Sequence, residues 1–367
     1  MPDLFLHWTE PPNANGEEVF RLASWRRSFT LKGKSFKEFE EEVVPLLSGQ
    51  HTIDEICEKV AHVFKKDEVS ASLNFLAAQG VVVEGDTESD RDRTMNLNPQ
   101  LGWFSETAPD GRAAQQKLVD AHVVIFGAGA HGAVAARSLV SAGVGGITII
   151  DPTDVTPVDR FFSALYRQDD VGKNRAEVLI AALQQEGTST KLTSHASRPP
   201  DAAAIAPLIK DASLVLCCLE SGELNLALKL NSACRQAGIR WIAASLEGSQ
   251  LIVGPGFPQT ADGPCYMCWR LREIAASANP QSRFALESQL DSLQTDLSGR
   301  RENLSASADI VGGMLSAEAL TWLTEIGPPN LTGRFLLVEL PGLRTEKHTV
   351  LRKPGCPGCS NTSAAQA

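Results

Sequence analysis

The stretch that most constrains this chain is HVVIFGAGAHGAVAARSLVSAGVGGITIID, residues 122–151. Val123–Phe126 is an apolar, mostly β-branched run, short enough for a buried strand. Gly127-Ala128-Gly129-Ala130-His131-Gly132 follows as a G-x-G-x-x-G turn. A helical pattern runs from Ala133 to Ala142 and stops at Gly143. Ile147–Ile150 is a second apolar strand, and it closes on Asp151. The whole is a βαβ unit of nucleotide-binding type. Its glycines allow a tight turn and close approach of backbone to phosphate, and the helix start offers N–H groups to an anion. Gly127, Gly129 and Gly132 are therefore candidate nucleotide contacts. Asp151, an acid about 20 residues on, is a candidate for a ribose hydroxyl.

At 367 residues the chain has room for two domains. Its net charge of −10 gives no global attraction to nucleic acid or anionic membrane. No apolar run is long enough to cross a bilayer, and MPDLFLHWTEPP lacks the basic and apolar regions of a signal peptide. The expectation is a cytoplasmic protein, whose eight cysteines are thiols or metal ligands.

Residues from Val19 to about Val83 read as a first compact unit. VFRLASWRRSFTLKG is expected as a β-hairpin and SFKEFEEEVVPLLSG as a helix. Thr52-x-x-Glu55 is a capping box that starts an amphipathic helix. A third helix runs from Asp67 to Gln79, and Val81–Val83 is expected as a last strand. A hairpin with three small helices reads as a winged-helix fold. Such a fold binds DNA, binds a peptide or merely packs. DNA is disfavoured, because the third helix carries Asp67 and Glu68 in its first turn. Basic residues lie on the hairpin instead, and an exposed basic edge suits an acidic peptide added as a strand. Arg26, Arg27, Phe29, Leu31, Lys32 and Lys34 are the candidate peptide contacts.

Glu84 to Gly111 is polar and reads as a linker. After Asp151, helix patterns from about Lys173 and over Leu224–Ala237 alternate with apolar strands at Leu214–Leu219, Trp241–Ala244 and Leu251–Val253. This alternation indicates a parallel, doubly wound α/β sheet. Further on, Ser282–Asn303 is polar and helical, Ala308–Ile326 is an apolar helix, and Arg334–Leu340 with Lys347–Leu351 form a terminal hairpin.

Cys265-Tyr-Met-Cys268 and Cys356-Pro-Gly-Cys359 are two C-x-x-C knuckles. Together they can complete a closed four-cysteine zinc site, which is structural because no position is left open. A redox dithiol is the alternative. Cys57, Cys217, Cys218 and Cys234 lie in apolar patterns and are expected as buried thiols.

Together these motifs resemble the ubiquitin-activating-like superfamily, the ThiF/MoeB-type adenylating enzymes, over about Arg112 to Ser360. The likeness rests on GAGAHG, Asp151, DVGKNRAE, SLVLCCLES, and GPCYMC paired with CPGC. PLLSGQHTIDEI followed by LNFLAAQGVVV resembles the PqqD-type precursor-recognition domain of ribosomal-peptide modifying proteins. The combined layout is similar to the leader-peptide-binding proteins of azole- and azoline-forming pathways. The resemblance implies a leader-recognition domain over 1–85 and a ThiF-like domain over 112–360; the polar stretch between them is the linker, 86–111, and the polar end of the sequence is expected as a disordered tail over 361–367. It also implies a homodimer, with a precursor peptide and a YcaO-type cyclodehydratase subunit as partners.

In active adenylating members the segment after the acid carries N-x-x-R-Q. Here the matching residues are Asp159, Arg160, Phe161, Phe162 and Ser163, so Phe162 replaces the phosphate-binding Arg. Phenylalanine offers none of the bidentate hydrogen bonding of a guanidinium. Lys173 and Arg175 keep positive charge in the next segment, and Glu220 matches the acid that holds magnesium. The resemblance thus implies ATP and Mg2+ at a site whose phosphate ligands are degraded. Two functions follow from it. One is presentation of a leader peptide to a cyclodehydratase; the other is ATP-dependent adenylation of a peptide carboxylate. A third, a redox-sensing repressor, gives the paired knuckles no role.

Overall fold

A computed structural model describes residues 6–23, 27–82, 98–107, 111–219, 224–260, 262–293 and 303–360. They lie in two compact units, Met1–Ala113 and Ala114–Ala367.

The first unit opens with an antiparallel meander of β1 (Leu6–Glu10), β2 (Glu18–Ala23) and β3 (Ser28–Gly33), in that order. Alternation along β2 sends Phe20 and Leu22 fully into the core, opposite Leu31 and Phe29 of β3. The expected hairpin is therefore present as β2 and β3. It has gained β1, whose exposed Leu6 and Trp8 gave no buried face to read. The expected first helix is irregular: Phe36–Glu38 is α-helical, Phe39–Val43 a π turn and Val44–Leu46 a 3-10 turn. Pro45 has no N–H to give and its ring crowds the carbonyl four residues back, so the α ladder does not continue to it.

The Thr52 hydroxyl accepts from the Glu55 N–H, and the Glu55 carboxylate accepts from the Thr52 N–H, so the expected capping box starts α1 (Ile53–Lys59). The next helix, α2 (Lys66–Ala78), seats Val69, Leu73 and Leu76 on the same core. No strand forms at Val81 and Val82, whose N–H groups both bond the Leu76 carbonyl; Val83 lies outside the described residues. The expected linker contains α3 (Asn98–Thr107), in which Phe104 is buried.

After α4 (Gly111–Val119), the second unit is built on one eight-stranded sheet. Its strands are β4 (His122–Phe126), β5 (Gly146–Ile150), β6 (Lys191–His195), β7 (Leu214–Cys217), β8 (Trp241–Glu247), β9 (Gln250–Phe257), β10 (Arg334–Glu339) and β11 (Arg344–Thr349). The order is β11-β10-β9-β8-β7-β4-β5-β6. The five strands from β8 to β6 are parallel, whereas β9, β10 and β11 run antiparallel to their neighbours. The expected parallel sheet is thus mixed, because short connections rather than helices join β8 to β9 and β10 to β11.

The longer helices of this unit are α5 (Ala130–Ser141), α6 (Arg175–Gln185), α7 (Ala202–Ile209), α8 (Leu224–Ala237), α9 (Tyr266–Ala276), α10 (Pro280–Leu293) and α11 (Ser305–Thr324). Chain order reverses between β4 and β7. That is the switch point at which open α/β sheets leave a crevice beyond the strand ends. On one side of it, Trp241 is fully buried beside Phe257, with ring centroids 4.6 Å apart.

Candidate functional site

The glycine turn sits at the switch point. Gly127 has φ +97°, and a Cβ there would lie 2.4 Å from the Cys218 carbonyl oxygen at the end of β7. A Cβ on Gly132 would lie 2.0 Å from the Gly127 oxygen. Both positions therefore require glycine for packing alone. Gly129 is the N-cap of α5. Asp151 ends β5 and is buried; its carboxylate accepts from the Ala128 N–H at 2.7 Å, from the Thr153 N–H at 2.8 Å and from the Thr153 hydroxyl. The buried Tyr166 hydroxyl donates to the Ala128 carbonyl. Both backbone groups of Ala128 are thus tied down; Asp151 Oδ2 holds the turn, and Oδ1 is held by Thr153.

Among the described residues, phosphate-facing chemistry is sparse around it. Phe162 is 4% exposed and packs with Ala130, the first residue of α5, and with Ala308 of α11. Val158 and Leu246 flank this apolar cluster. Of the two cations read from the sequence, Lys173 lies at the surface, 3.1 Å from Asp170. The Arg167 N–H and Lys173 together hold the Asp170 carboxyl below its ordinary range. Arg175 is 1% exposed, and its Nε and Nη2 both lie 3.0 Å from Asp159 Oδ2. Its Nη1 donates to Thr153 Oγ1 at 3.3 Å. The structure therefore brings Gly127, Gly129, Gly132 and Asp151 together, leaves Lys173 outside, and spends Arg175 on an internal acid. Glu220 lies outside the described residues.

Sequence reasoning did not assign Asp159, Thr153, Tyr166 or Asn174. Asn174 caps α6, accepting from the Ala176 and Glu177 N–H groups, while its amide donates to the Asp151 carbonyl at 2.9 Å. An asparagine just before an apolar helical run is an N-cap signal.

A second site lies at the start of α9. The sulfurs of Cys265, Cys268, Cys356 and Cys359 all fall within 4.8 Å of one another, and all four residues are buried. Cys265 lies 3.8 Å from Cys268 and from Cys356, and Cys268 lies 3.4 Å from Cys359. Zinc at about 2.3 Å from each of four sulfurs makes a tetrahedron with edges of roughly 3.8 Å, so the donor set fits that ion. Both knuckles meet as the spacing anticipates, with all four cysteines as thiols. Burial pushes the Cys268 thiol up, but N–H groups of Lys353 and Cys265 outweigh it and bring it to about 7. The Lys353 N–H stands 3.3 Å from that sulfur, a hydrogen bond that favours the thiolate a metal needs. Elsewhere, burial pushes the Cys218 and Cys234 thiols up, which leaves them poor nucleophiles.

In the first unit, β3 pairs with β2 on one side only and is an edge strand among the described residues. Phe29 and Leu31 point to the core side, half-buried, and Lys32 and Lys34 are exposed. Arg27 donates to the Gln79 carbonyl at 3.2 Å, so it ties the start of β3 to the end of α2. Phe75 of α2 is 48% exposed. Arg26 lies outside the described residues.

Comparison with known proteins agrees with this architecture. The molybdopterin-synthase adenylyltransferase of Salmonella typhimurium is 25% identical over 248 residues, covering 67% of this chain and 89% of that protein. The sulfur carrier protein adenylyltransferase of Thermus thermophilus is 27% identical over 277 residues, covering 75% and 92%. Among solved structures, E. coli MccB with MccA-N7isoASN superposes with a TM-score of 0.66 at 15% identity, over 98% of this chain and 99% of that one. E. coli MccB with ATP gives 0.65 at 16%, over 98% of both chains. PaaA gives 0.66 at 17%, over 95% of this chain and 99% of that one. At these identities the structures speak for the fold alone. The ThiF family pattern matches residues 97–358, and the chain belongs to the ThiF family.

Proposed function

We propose that this protein captures the leader of a ribosomally made precursor peptide with its N-terminal unit and presents it for modification. That unit acts as a winged-helix-type recognition domain over residues 1–85. The peptide adds as a strand to the open edge of β3, with Lys32 and Lys34 meeting its acids and Phe75 offering an apolar contact. The ThiF-type body, residues 112–360, docks a YcaO-type cyclodehydratase subunit, which uses ATP to close azolines on Cys, Ser or Thr side chains. The body is a cytoplasmic homodimer clamped by structural zinc.

The observation that carries presentation over catalysis is the state of the phosphate-facing residues. Arg175 is paired with Asp159, and Phe162 stands against the start of α5. A triphosphate entering here meets an aromatic ring and a neutralised cation, which do not compensate its charge.

The comparisons favour a second reading, adenylation of a peptide carboxylate with ATP and magnesium. The similar proteins are adenylyltransferases, and MccB, similar over nearly the whole chain, is a microcin C7 biosynthetic enzyme whose structure is known with ATP and with N-formylated MccA. In this reading Gly127, Gly129 and Asp151 hold the nucleotide, Lys173 and Arg175 the phosphates, and Glu220 the magnesium.

One experiment separates the readings. The zinc-loaded protein is titrated with fluorescent leader peptide and with Mg·ATP, and pyrophosphate release is followed with the cognate precursor. Leader binding without pyrophosphate release supports presentation. Pyrophosphate release that depends on Glu220 supports adenylation. Absence of leader binding removes presentation, and absence of pyrophosphate release with the cognate precursor removes adenylation.

A further inference from the structure

The short turn Asp159–Phe162 does two things at once. Its first residue lays a carboxylate on Arg175, and its last lays a ring against Ala130 where α5 begins. One oxygen of Asp159 accepts three hydrogen bonds and faces a fourth nitrogen. The donors are the Thr156 N–H at 2.7 Å, the Thr156 hydroxyl at 2.8 Å and Arg175 Nε at 3.0 Å, and Arg175 Nη2 lies at the same 3.0 Å as an ion-pair contact. A backbone N–H, a hydroxyl and one edge of a guanidinium make an oxyanion receptor. The Arg175 and Asp159 side chains are 2% and 0% exposed, so the receptor is sealed, and the carboxylate inside it balances the cation. From Arg175 the network runs through Thr153 to Asp151 and so to the Ala128 N–H. The receptor is therefore two side chains removed from the glycine turn.

We propose that Asp159 is a tethered stand-in for a phosphate-class anion, and that the turn Asp159–Phe162 is an intramolecular plug of the crevice. Emptying the receptor converts Arg175 and Thr156 into a binding site for pyrophosphate or the phosphates of a nucleotide. The inference deepens the presentation reading above and rests on it. The chain supplies its own carboxylate at a high effective concentration, so free anions do not compete for Arg175. Phe162 adds to the exclusion by covering the α5 start with apolar surface. A member of a nucleotide-using family thus keeps its turn and its buried cation while refusing the ligand.

The test uses the full zinc-loaded chain and the Asp159→Ala variant, which removes the carboxylate and empties the receptor. Binding of inorganic pyrophosphate and of Mg·ATP is measured by calorimetry, and thermal melts are run with and without pyrophosphate. Pyrophosphate is expected to bind the variant at least tenfold more tightly than the wild type. Melting temperature lost on substitution is expected to return with pyrophosphate and not with chloride at equal ionic strength. Adding Arg175→Gln to the variant is expected to abolish the gain. A folded Asp159→Ala variant that binds pyrophosphate within twofold of the wild type overturns the proposal. Should that variant fail to fold at any anion concentration, Asp159→Ser decides, because it removes the carboxylate, opens the receptor and keeps a small hydroxyl beside Arg175. A severalfold gain in pyrophosphate affinity upholds the plug, and no gain overturns it. Leader titrations on the same samples keep the two claims apart. Loss of leader binding sinks the proposed function and leaves the plug standing, whereas unchanged pyrophosphate affinity with leader binding intact sinks the plug alone.

Discussion

The sulfurs of Cys268 and Cys359 lie 3.4 Å apart although 91 residues separate them in the chain. They join the first turn of α9 to a short turn at Cys356–Cys359 that has little hydrophobic surface of its own. A metal ion held by the four sulfurs would fasten this turn to α9. Removing one ligand by Cys359→Ser is expected to release bound zinc and to lower the stability of the second unit by several kcal/mol, a part of the roughly 10 kcal/mol or more that closed zinc sites supply. Metal content by emission spectroscopy, read beside the melting curve, checks this. A Cys359→Ser protein that keeps a full equivalent of zinc contradicts the assignment.

The capping box of the first unit gives a local prediction. Thr52 and Glu55 each satisfy the other's backbone N–H. Thr52→Ala removes one acceptor from the start of α1 and is expected to cost about 1 kcal/mol. In a unit of this size that corresponds to a fall of roughly 4–8 °C in its melting transition. Zinc content should not change, since the metal ligands all belong to the other unit.

A pH effect follows from Glu40 in the π turn. Burial pushes its carboxyl up, but hydrogen bonds with Thr9 and His7 outweigh this and leave it below the ordinary value of 4.5. A carboxyl depressed by folding contributes stability that is present above its unfolded pKa and is lost as pH falls through the folded one. Glu40→Gln should therefore lower the urea midpoint at neutral pH, and the gap from the wild type should close at pH below the carboxylate range. A gap that stays constant from neutral pH to pH ~2 would falsify the assignment of the effect to Glu40.

How much of this is legible in the chain depends on where the partners lie. The βαβ unit reads directly, because strand, glycines, helix and acid follow one another and each signal is local. The same holds for the Thr52 box and for the C-x-x-C pairs, whose short spacings are themselves the chemistry. β1 and β6 escape a reading of the sequence because both are edge strands with exposed residues and no continuous apolar face. The break in the first helix follows from Pro45, a single residue acting against an otherwise helical pattern. The Asp159–Arg175 pair joins residues 16 apart across an irregular segment, and no periodicity links them. The sequence shows a missing arginine and a surviving one; only the fold shows that the survivor is already engaged.

The last prediction concerns Tyr166, which lies outside every motif of the turn yet holds it from below. Its hydroxyl donates to the Ala128 carbonyl, and the residue is 3% exposed. Tyr166→Phe keeps the ring packing and leaves that buried carbonyl without its donor. Such an orphaned acceptor costs about 1–3 kcal/mol. Because the Ala128 N–H remains held by Asp151, the turn should loosen on one side only. Amide exchange across residues 127–132 should quicken, with slower change in β4. Leader affinity should stay the same if the N-terminal unit carries recognition by itself. A fall in leader affinity of tenfold or more would instead place the glycine turn in the peptide's path, and would move the recognition surface from β3 to the crevice.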